Sequence, residues 1–257
     1  MRTIIVSGAS SGIGKATAER FAGGGDRVVN FDVAKPEDTG QAGDGPGSIS
    51  WLEVDVADWQ AVREAVESVY AKENRLDVVI ANAGISTRGG VLELTEAAVR
   101  RTVDVNLLGV LALWRHAAPL MLEQGHGVLL ATASVNGSRG YPLYAGYNAS
   151  KAGVASLCQT FAMELSPLVR TGCVTPGAVL TPMQRAEYTD EMLAEVNDRI
   201  PARRHADPAE IAAAFHFLAS ADASFFTGQE LVVDGGETAG ATTAFFPGPT
   251  TPSPRRG

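Results

Sequence analysis

Short apolar runs rich in β-branched residues alternate along the chain with longer amphipathic segments. Seven of these runs have the length and composition of strands, and several are apolar almost throughout, as is typical of strands covered on both faces. The predicted strands are Thr3–Ser7, Arg27–Asp32, Ser48–Val54, Leu76–Asn82, Gly127–Ser134, Thr171–Thr175 and Glu230–Asp234. The segments with helical periodicity are Gly14–Ala22, Asp58–Glu73, Glu96–Leu122, Ala145–Leu165 and Pro208–Leu218.

Regular alternation of strands and helices predicts the fold class. Parallel strands need crossover connections, and right-handed crossovers place helices on both faces of the sheet. We therefore predict an α/β protein with a single-domain Rossmann fold over residues 1–238, built on a doubly wound seven-stranded parallel sheet. Residues 36–47 predict a surface loop, and residues 239–257 form a tail rich in Thr, Pro and Gly. Phe245 and Phe246 of that tail could pack on the same chain or on a neighbouring subunit.

Charge and composition exclude several classes of function. The formal net charge is −8 and the sequence pI is about 5.0, which argues against nucleic acid as the main partner. We expect no membrane span, because no apolar run approaches the roughly 18 residues that one needs. We expect no secretory signal either, so the predicted compartment is the cytoplasm. Cys158 and Cys173 predict buried core thiols, and no metal site is predicted.

A glycine-rich turn follows the first predicted strand and leads into the first helix. Gly8 permits a tight turn, Gly12 lets the main chain approach a pyrophosphate, and Gly14 allows close packing of helix and strand. Phosphates would then meet the free amides at the start of the helix. The turn predicts a dinucleotide site that also includes Ser10, Ser11 and Ile13.

Asp32 ends the second predicted strand, eighteen positions after Gly14. A carboxylate at that place accepts hydrogen bonds from the adenosine ribose hydroxyls and repels a 2′-phosphate. Lys15 and Lys35 are the nearby basic residues that would argue for NADP. We therefore predict NAD as the cofactor, with NADP the less favoured alternative.

Tyr147 and Lys151 lie four residues apart in a predicted helix, so their side chains share one face. An ammonium group beside a phenol favours the phenolate, which makes the phenol usable as a general acid and base. Ser134 ends a predicted strand, and its hydroxyl could hold a carbonyl or alcohol oxygen against that phenol. These residues predict proton transfer to and from an alcohol oxygen.

With these features in this order, the chain resembles a classical short-chain dehydrogenase/reductase from Thr3 to about Gly236. Further motifs of that family match in sequence order, although Ser7 stands where threonine is usual and Gly172 where asparagine is common. They are Asp55 and Val56 for adenine, Asn82, Ala83 and Gly84 beneath the cofactor, Asn106 in the catalytic set, and Pro176, Gly177, Val179 and Thr181 in the loop that holds the nicotinamide carboxamide.

The resemblance implies a mechanism and an assembly. It implies reversible hydride transfer between a nicotinamide and a carbinol carbon, with Tyr147 as general acid and base and Ser134 bound to the substrate oxygen. Lys151 would bind the nicotinamide ribose and, together with the positive charge of the oxidised ring, lower the pKa of Tyr147. Asn106 would hold a water of the proton relay. The family commonly assembles through the helices that carry Asn106 and Tyr147, so we expect a homo-oligomer, with a tetramer favoured.

Substrate identity is less well determined by the sequence. The candidate substrate residues are Ser134, Asn136, Tyr141, Tyr144 and Met183. Residues 180–204, expected to be mobile, complete a pocket that we expect to be mainly apolar. Arg185 on this segment could meet an acid group of the substrate or could equally lie in solvent. A sugar, a steroid, a hydroxy acid, a terpene alcohol and a polyketide intermediate are all open as substrates. The main prediction is an NAD-dependent enzyme acting on a secondary alcohol or ketone. The alternatives are an NADPH-dependent reductase of 3-ketoacyl groups on a carrier protein and a non-enzymatic dinucleotide-binding module.

Overall fold

A computed structural model describes residues 1–37 and 43–240, and all seven predicted strands form in it. They join in one parallel sheet with the order β3-β2-β1-β4-β5-β6-β7. Part of the predicted loop at 36–47, and the tail from residue 241 with Phe245 and Phe246, lie outside the described residues. The strands are β1 Thr3–Ser7, β2 Arg27–Asp32, β3 Ile49–Glu53, β4 Val78–Ala81, β5 Gly127–Thr132, β6 Val169–Pro176 and β7 Gln229–Val233.

Helices cover both faces of the sheet. Along β1, the side chains of Ile4 and Val6 pack into one apolar core with the first and last helices. Ile5 packs into a second core, on the opposite face, with three other helices. The alternation follows from the two-residue side-chain period of a strand. The helices are α1 Gly12–Gly23, α2 Trp59–Glu73, α3 Glu96–Val103, α4 Gly109–Gln124, α5 Ala145–Leu165, α6 Pro182–Glu187, α7 Asp190–Arg199 and α8 Pro208–Leu218; α1 and α8 share the first core, and α2, α4 and α5 the second.

Local sequence signals explain where several helices begin and end. Asp58 caps α2 by accepting from the amides of Gln60 and Ala61, which are among the first-turn amides without a partner inside the helix. At α8, Asp207 and Glu210 form a reciprocal capping box around Pro208. These contacts fix the helix ends and therefore the loops that follow each strand.

The predicted helix Glu96–Leu122 is interrupted in the structure. A π-helical turn over Asp104–Leu108 separates α3 from α4, which a 3.6-residue hydrophobic period does not reveal. The run Glu96–Gln124 has the length and composition of a membrane-crossing helix, but 56% of its most apolar window is buried inside the protein. It is therefore a core helix of this fold.

The segment from 180 to 204 is more regular than the sequence suggested. It contains α6 and α7, whose first turns are capped by the side chains of Thr181 and Thr189. Strand β6 begins at Val169, two residues before its predicted start at Thr171. The capped helices form one wall of the site described below.

The carboxyl ends of the central strands are tied together by side chains. The Ser7 hydroxyl accepts from the amides of Asn82 and Ala83, each at 3.0 Å. In the Asn82 side chain, Nδ2 donates to the main-chain carbonyls of Ser7 and Gly8, at 3.1 and 3.2 Å. Its Oδ1 atom accepts from the Thr132 hydroxyl at 2.9 Å. The ends of β1, β4 and β5 therefore form one rigid edge, where strand order changes direction and where doubly wound folds bind ligands.

Candidate active site

The glycine turn after β1 has the geometry that its sequence predicts. Gly8 adopts a φ of +68°, in the left-handed region that favours glycine. A Cβ atom on Gly14 would lie 2.1 Å from the carbonyl oxygen of Gly8, so the start of α1 packs against the turn more closely than any side chain allows. The turn and the helix are therefore held as one unit.

The first turn of α1 carries no side-chain cap. Ser11 occupies the N-cap position without making a side-chain hydrogen bond to the helix, whereas α2, α3, α6, α7 and α8 are all capped by a side chain. The amides at this end have no partner within the helix, and the helix dipole is positive there. This arrangement suits a phosphate group.

Asp32 is fixed at the end of β2 beside the glycine turn. Its Oδ2 atom accepts from the Ser10 amide at 3.0 Å, and its Oδ1 atom accepts from the Ala34 amide at 2.9 Å. The Ser10 hydroxyl donates to the Ala34 carbonyl at 2.6 Å. Each carboxylate oxygen keeps a further lone pair, so the carboxylate can still accept hydrogen bonds from a ligand.

A cavity of about 280 Å³ opens at this edge of the sheet, between the glycine turn and α5. It brings together thirteen of the residues predicted to bind a cofactor. They are Gly8, Ser11, Gly12, Ile13, Asp32, Asp55, Val56, Asn82, Ala83, Gly84, Tyr147, Lys151 and Thr181.

The other predicted cofactor residues lie close by without lining this cavity. Ser10 and Gly14 support the turn, and Gly177 faces a second cavity. Val179 is buried and pairs with Ala206, which holds the loop after Pro176 in place.

Arg101 is a lining residue that the sequence reasoning missed. Its Nη2 atom lies 3.0 Å from Oδ2 of Asp55, on the part of the cavity assigned to adenine. Thr132, at the end of β5, also lines the cavity and was missed. The end of a central parallel strand is the signal that could have identified Thr132, whereas the approach of Arg101 to Asp55 depends on tertiary packing.

Lys151 is a buried cation at the floor of this cavity. Its side chain is almost fully buried, and its ammonium donates to the Thr132 carbonyl at 2.8 Å. The same Nζ atom lies 5.6 Å from the centroid of the Tyr147 ring. Burial lowers the pKa of Lys151 to about 8, since a charged ammonium loses hydration there.

Tyr147 has a raised pKa in the protein without cofactor. Burial of the phenol is the main cause, and the carboxylate of Glu187 adds to it, while the Ser134 hydroxyl acts in the opposite direction. Burial of the phenol therefore dominates, and the Lys151 ammonium is directed to the Thr132 carbonyl. A lower pKa of Tyr147 caused by Lys151 together with an oxidised nicotinamide stays a prediction.

Asn106 lies inside the π-helical turn and is fully buried. Its Oδ1 atom accepts from the Ile85 amide at 2.8 Å, and its Nδ2 atom donates to the Ile85 carbonyl at 2.9 Å. Nδ2 also lies 3.2 Å from the Ser150 hydroxyl on α5. Asn106 therefore joins the segment after β4 to the helix that carries Tyr147 and Lys151.

Ser134 begins a chain of polar contacts toward the substrate side. Its hydroxyl accepts from the Asn136 amide at 3.2 Å. The side chain of Asn136 donates to that of Asn148 at 2.9 Å, and Asn148 donates to the Tyr141 carbonyl at 2.9 Å. These contacts hold the loop before α5 in one conformation around Ser134.

A second cavity, of about 380 Å³, lies beyond Tyr147. Tyr147 and Met183 line both cavities, so the two volumes meet at the predicted catalytic phenol. All five candidate substrate residues line the second one: Ser134, Asn136, Tyr141, Tyr144 and Met183.

The lining of the second cavity is mainly apolar, as expected, but it also carries charged side chains. Glu187, Glu195, Glu237, Arg88 and Arg199 all line it, and Arg185 lines neither cavity. These charged residues come from α6, α7 and the segments after β4 and β7. Because they lie far apart along the chain, their proximity could not be predicted from the sequence.

Two phenol–carboxylate pairs organise the second cavity. The Tyr141 hydroxyl donates to Oε1 of Glu237 at 2.6 Å, and the Tyr144 hydroxyl donates to Oε2 of Glu187 at 2.7 Å. Burial and these carboxylates raise the pKa of both phenols. Both phenols therefore stay protonated at neutral pH and act as donors.

Comparison with known proteins decides the family. A family model described as enoyl-(acyl carrier protein) reductase matches residues 8–238, which include the glycine turn and all four predicted catalytic residues. The chain belongs to the short-chain dehydrogenase/reductase family. The seven-stranded parallel sheet with helices on both faces is a Rossmann fold, as the sequence predicted.

Similar short-chain dehydrogenases/reductases differ in the reactions for which they are named. The chain is 36% identical to the 3-oxoacyl-[acyl-carrier-protein] reductase FabG of Thermotoga maritima, over 91% of this chain and 97% of that one. It is 38% identical to the cis-4-hydroxycyclohexanecarboxylate dehydrogenase of Sinomonas cyclohexanicum, over 93% and 97%. A solved structure from Beutenbergia cavernae, described as an NAD(P)-dependent gluconate 5-dehydrogenase with bound NADP at low occupancy, superposes with a TM-score of 0.85 at 34% identity, over 93% and 97%.

Proposed function

We propose that this protein is an NAD(H)-dependent oxidoreductase that interconverts a secondary alcohol and a ketone, with Tyr147 as its general acid and base. The observation that carries the proposal is the position of Tyr147 at the junction of the two cavities. One cavity has the glycine turn and the helix end without a side-chain cap that suit a dinucleotide. The other has a mainly apolar lining with several polar side chains, which suits a small molecule.

The residues of the first cavity fit a nicotinamide dinucleotide. The amides of Gly12 and Ile13 would bind the pyrophosphate, Asp32 the adenosine ribose, and Asp55 the adenine. Lys151 would bind the nicotinamide ribose from the cavity floor. When bound, the nicotinamide supplies the acceptor or donor of a hydride.

The side chains around Tyr147 divide the proton chemistry among them. During oxidation the Tyr147 phenolate takes the proton of the alcohol, and during reduction the phenol returns it. The Ser134 hydroxyl donates to the substrate oxygen and stabilises the charge that develops on it. Lys151 supports the phenolate once a positively charged nicotinamide adds to its effect, and Asn106 keeps the segment after β4 against α5.

NAD is proposed as the cofactor because of Asp32. Its carboxylate lies where a 2′-phosphate would be repelled, and the amide of Ser10 fixes its position. The NADP in the related structure describes that protein and does not assign the cofactor of this chain. We further propose a cytoplasmic homo-oligomer, a tetramer in the favoured case, that acts on a small molecule without nucleic acid or membrane partners.

One alternative has a specific observation in its favour. The relative from Thermotoga maritima is named as a 3-oxoacyl reductase, which would imply an NADPH-dependent reductase of acyl groups held on a carrier protein. Asp32 argues against this reading, since it disfavours NADPH. A non-enzymatic dinucleotide-binding module is disfavoured by the presence of Asn106, Ser134, Tyr147 and Lys151 together.

Nicotinamide absorbance tests the proposal. NAD+ is supplied with a panel of secondary alcohols, and NADPH with 3-oxoacyl thioesters in a parallel assay. Reduction of NAD+ by members of the alcohol panel is the expected result. Turnover of the thioesters alone would establish the reductase alternative, and tight nucleotide binding with no turnover in either assay would support the binding module.

A further inference from the structure

His205 lies in the segment between α7 and α8 and is buried. The main chain of its neighbour Ala206 donates to the Ala178 carbonyl at 2.9 Å and accepts from the Leu180 amide at 3.0 Å. These contacts attach the segment to the loop over residues 176–181, to which the sequence assigns the nicotinamide carboxamide. The position of His205 is therefore fixed relative to the cofactor side of the site.

From this position the imidazole of His205 reaches α7. Its Nδ1 atom lies 2.7 Å from Oδ1 of Asn197. An amide oxygen only accepts, so Nδ1 carries the proton of the neutral ring and donates. Val196 and Met192, on the same helix, line the second cavity. The hydrogen bond therefore ties one wall of the substrate cavity to the 176–181 loop.

Helix α7 depends on contacts of this kind because it does not belong to either apolar core. Its residues, Asp190–Arg199, are all exposed or half-buried, and the first buried residue is Ile200, which ends the helix. The Glu195–Arg199 pair, at 3.6 Å, is largely exposed, and such pairs stabilise little. A short hydrogen bond to a buried ring is therefore a substantial part of what holds this helix in place.

The second ring nitrogen of His205 sets a condition on this contact. Nε2 is buried and has no hydrogen-bond partner among the described residues. A second proton would place an unpaired donor and a charge where water does not reach them. Burial accordingly lowers the pKa of His205, although the Glu237 carboxylate acts in the opposite direction.

The charged groups on the neighbouring elements do not change this balance. Arg204 donates to the His205 carbonyl at 3.1 Å and pairs with Glu210 of α8 at 2.6 Å, so it leaves that carboxylate engaged. Glu237 is the carboxylate that favours a charged ring, and burial outweighs it. The charged residues on the surrounding elements are Glu195, Asp198 and Arg199 on α7, Arg203 and Arg204 after it, Asp207 and Glu210 at the start of α8, and Asp234 and Glu237 after β7.

We propose that His205 is a positioning residue, which fastens α7 to the 176–181 loop through Asn197, and that protonation of its ring releases this wall of the substrate cavity. The inference rests on the proposed oxidoreductase function, because the wall belongs to the same site. In the released state the ring regains water and its pKa returns toward the ordinary value of 6.5, above that of the closed state. Release therefore becomes more favourable as the pH falls below that value.

Hydrogen exchange of the α7 amides, followed by mass spectrometry, tests the contact without any substrate. His205→Leu removes the hydrogen bond, whereas the side-chain amide of His205→Asn still donates and does not titrate. At pH 7 the α7 amides should exchange about five- to tenfold faster in His205→Leu than in the wild type, the effect of one lost hydrogen bond. At about pH 5.5, after correction for the intrinsic exchange rate, the wild type should approach His205→Leu while His205→Asn stays protected.

Two further variants complete the exchange experiment. Asn197→Ala removes the acceptor from the other side and should match His205→Leu at pH 7, which covers the case in which His205→Leu does not fold. Asp198→Asn alters the adjacent exposed residue of α7 and is the control, expected to exchange like the wild type. Thermal unfolding checks that each variant is folded. Equal exchange of the α7 amides in the wild type, His205→Leu and Asn197→Ala would overturn the inference.

Kinetics with NAD+ measure the consequence for the reaction, using the secondary alcohol of the panel that gives the highest kcat/KM. At pH 7, His205→Leu and Asn197→Ala should raise KM about fivefold with kcat within about twofold, because substrate binding must then also order α7. Asp198→Asn should change neither constant. An unchanged KM in both variants would contradict the positioning role. Absence of turnover by the wild type would contradict the oxidoreductase function, and hydrogen exchange would still decide the role of His205.

Discussion

The side chain of Asn106 binds both main-chain groups of Ile85, at 2.8 Å through Oδ1 and at 2.9 Å through Nδ2. The segment after β4 is thereby attached to the π-helical turn between α3 and α4, and the contact to Ser150 extends the attachment to α5. A residue expected to serve a water relay therefore also has a structural role, since its side chain fixes the distance between two walls of the first cavity.

Replacement of Asn106 should reduce stability as well as activity. Asn106→Ala leaves the partly buried amide and carbonyl of Ile85 without side-chain partners, so we expect a loss of roughly 1–3 kcal/mol in the free energy of unfolding. Urea unfolding measures it. A change below about 0.5 kcal/mol for Asn106→Ala would show that the attachment contributes little.

Lys151 makes stability depend on pH in a defined direction. Its folded pKa of about 8 lies below the ordinary lysine value of 10.5, so between these values the unfolded chain holds a proton that the folded protein has released. The contribution of Lys151 to the protein's free energy of unfolding therefore rises with pH across that window and is lowest below pH 8. Relative to Lys151→Met, the wild type should gain on the order of 2 kcal/mol between pH 7 and pH 10.

Chemical denaturation of both proteins at several pH values provides the comparison. The variant also loses the hydrogen bond to the Thr132 carbonyl, but this loss does not vary with pH. The pKa of Lys151 is therefore read from the way the stability difference between wild type and variant changes with pH, and not from its size at any one pH. A difference between wild type and variant that stays constant from pH 7 to pH 10 would mean that Lys151 has an ordinary pKa.

The charge of Glu187 should affect the pH dependence of alcohol oxidation. Its carboxylate helps to raise the pKa of Tyr147, and oxidation needs the phenolate. Glu187→Gln removes that charge, so the acidic limb of the kcat/KM profile should move to lower pH. The profile is measured for alcohol oxidation beside Glu96→Gln, which should leave the limb in place because Glu96 is exposed on α3 and pairs with Arg100. A limb that moves to higher pH in Glu187→Gln would contradict the electrostatic role of Glu187.

Asp32 should determine the choice between NADH and NADPH. Removing its charge in Asp32→Asn relieves repulsion of a 2′-phosphate, and Asp32→Ala also removes the hydrogen-bond acceptors offered to the ribose. We expect NADPH to bind about tenfold more tightly to both variants, and NADH about tenfold more weakly to Asp32→Ala. Fluorescence titration gives the dissociation constants. Tighter binding of NADPH than of NADH by the wild type would refute the assignment of NAD.

The strands and helix α5 could be predicted from sequence because their signals are local. Apolar runs rich in β-branched residues mark the seven strands, and the spacing of Tyr147 and Lys151 marks one face of α5. The π-helical turn at Asp104–Leu108 could not be predicted in this way, since one extra residue in a turn scarcely alters the hydrophobic period. The position of this turn around Asn106 is seen only in the hydrogen bonds of the folded chain.

The chemistry of the second cavity depends on contacts between distant parts of the chain. Glu187 reaches Tyr144 across 43 positions, and Glu237 reaches Tyr141 across 96. Neither carboxylate belongs to a motif, so these charged groups could not be placed in the mainly apolar lining that the sequence predicts. Arg185, which could have met an acid group or lain in solvent, lines neither cavity. The raised pKa of Tyr147 also depends on tertiary structure, because burial of the phenol is its main cause.

The central claim is that Tyr147 transfers the proton while the cofactor binds independently of its hydroxyl. Turnover with NAD+ and the dissociation constant of NADH are measured together for the wild type and Tyr147→Phe. The account predicts a loss of at least about a hundredfold in kcat, typical of an absent general acid or base, with NADH affinity within about threefold. Retention of wild-type turnover by the variant would contradict the account, and so would a loss explained entirely by weaker NADH binding.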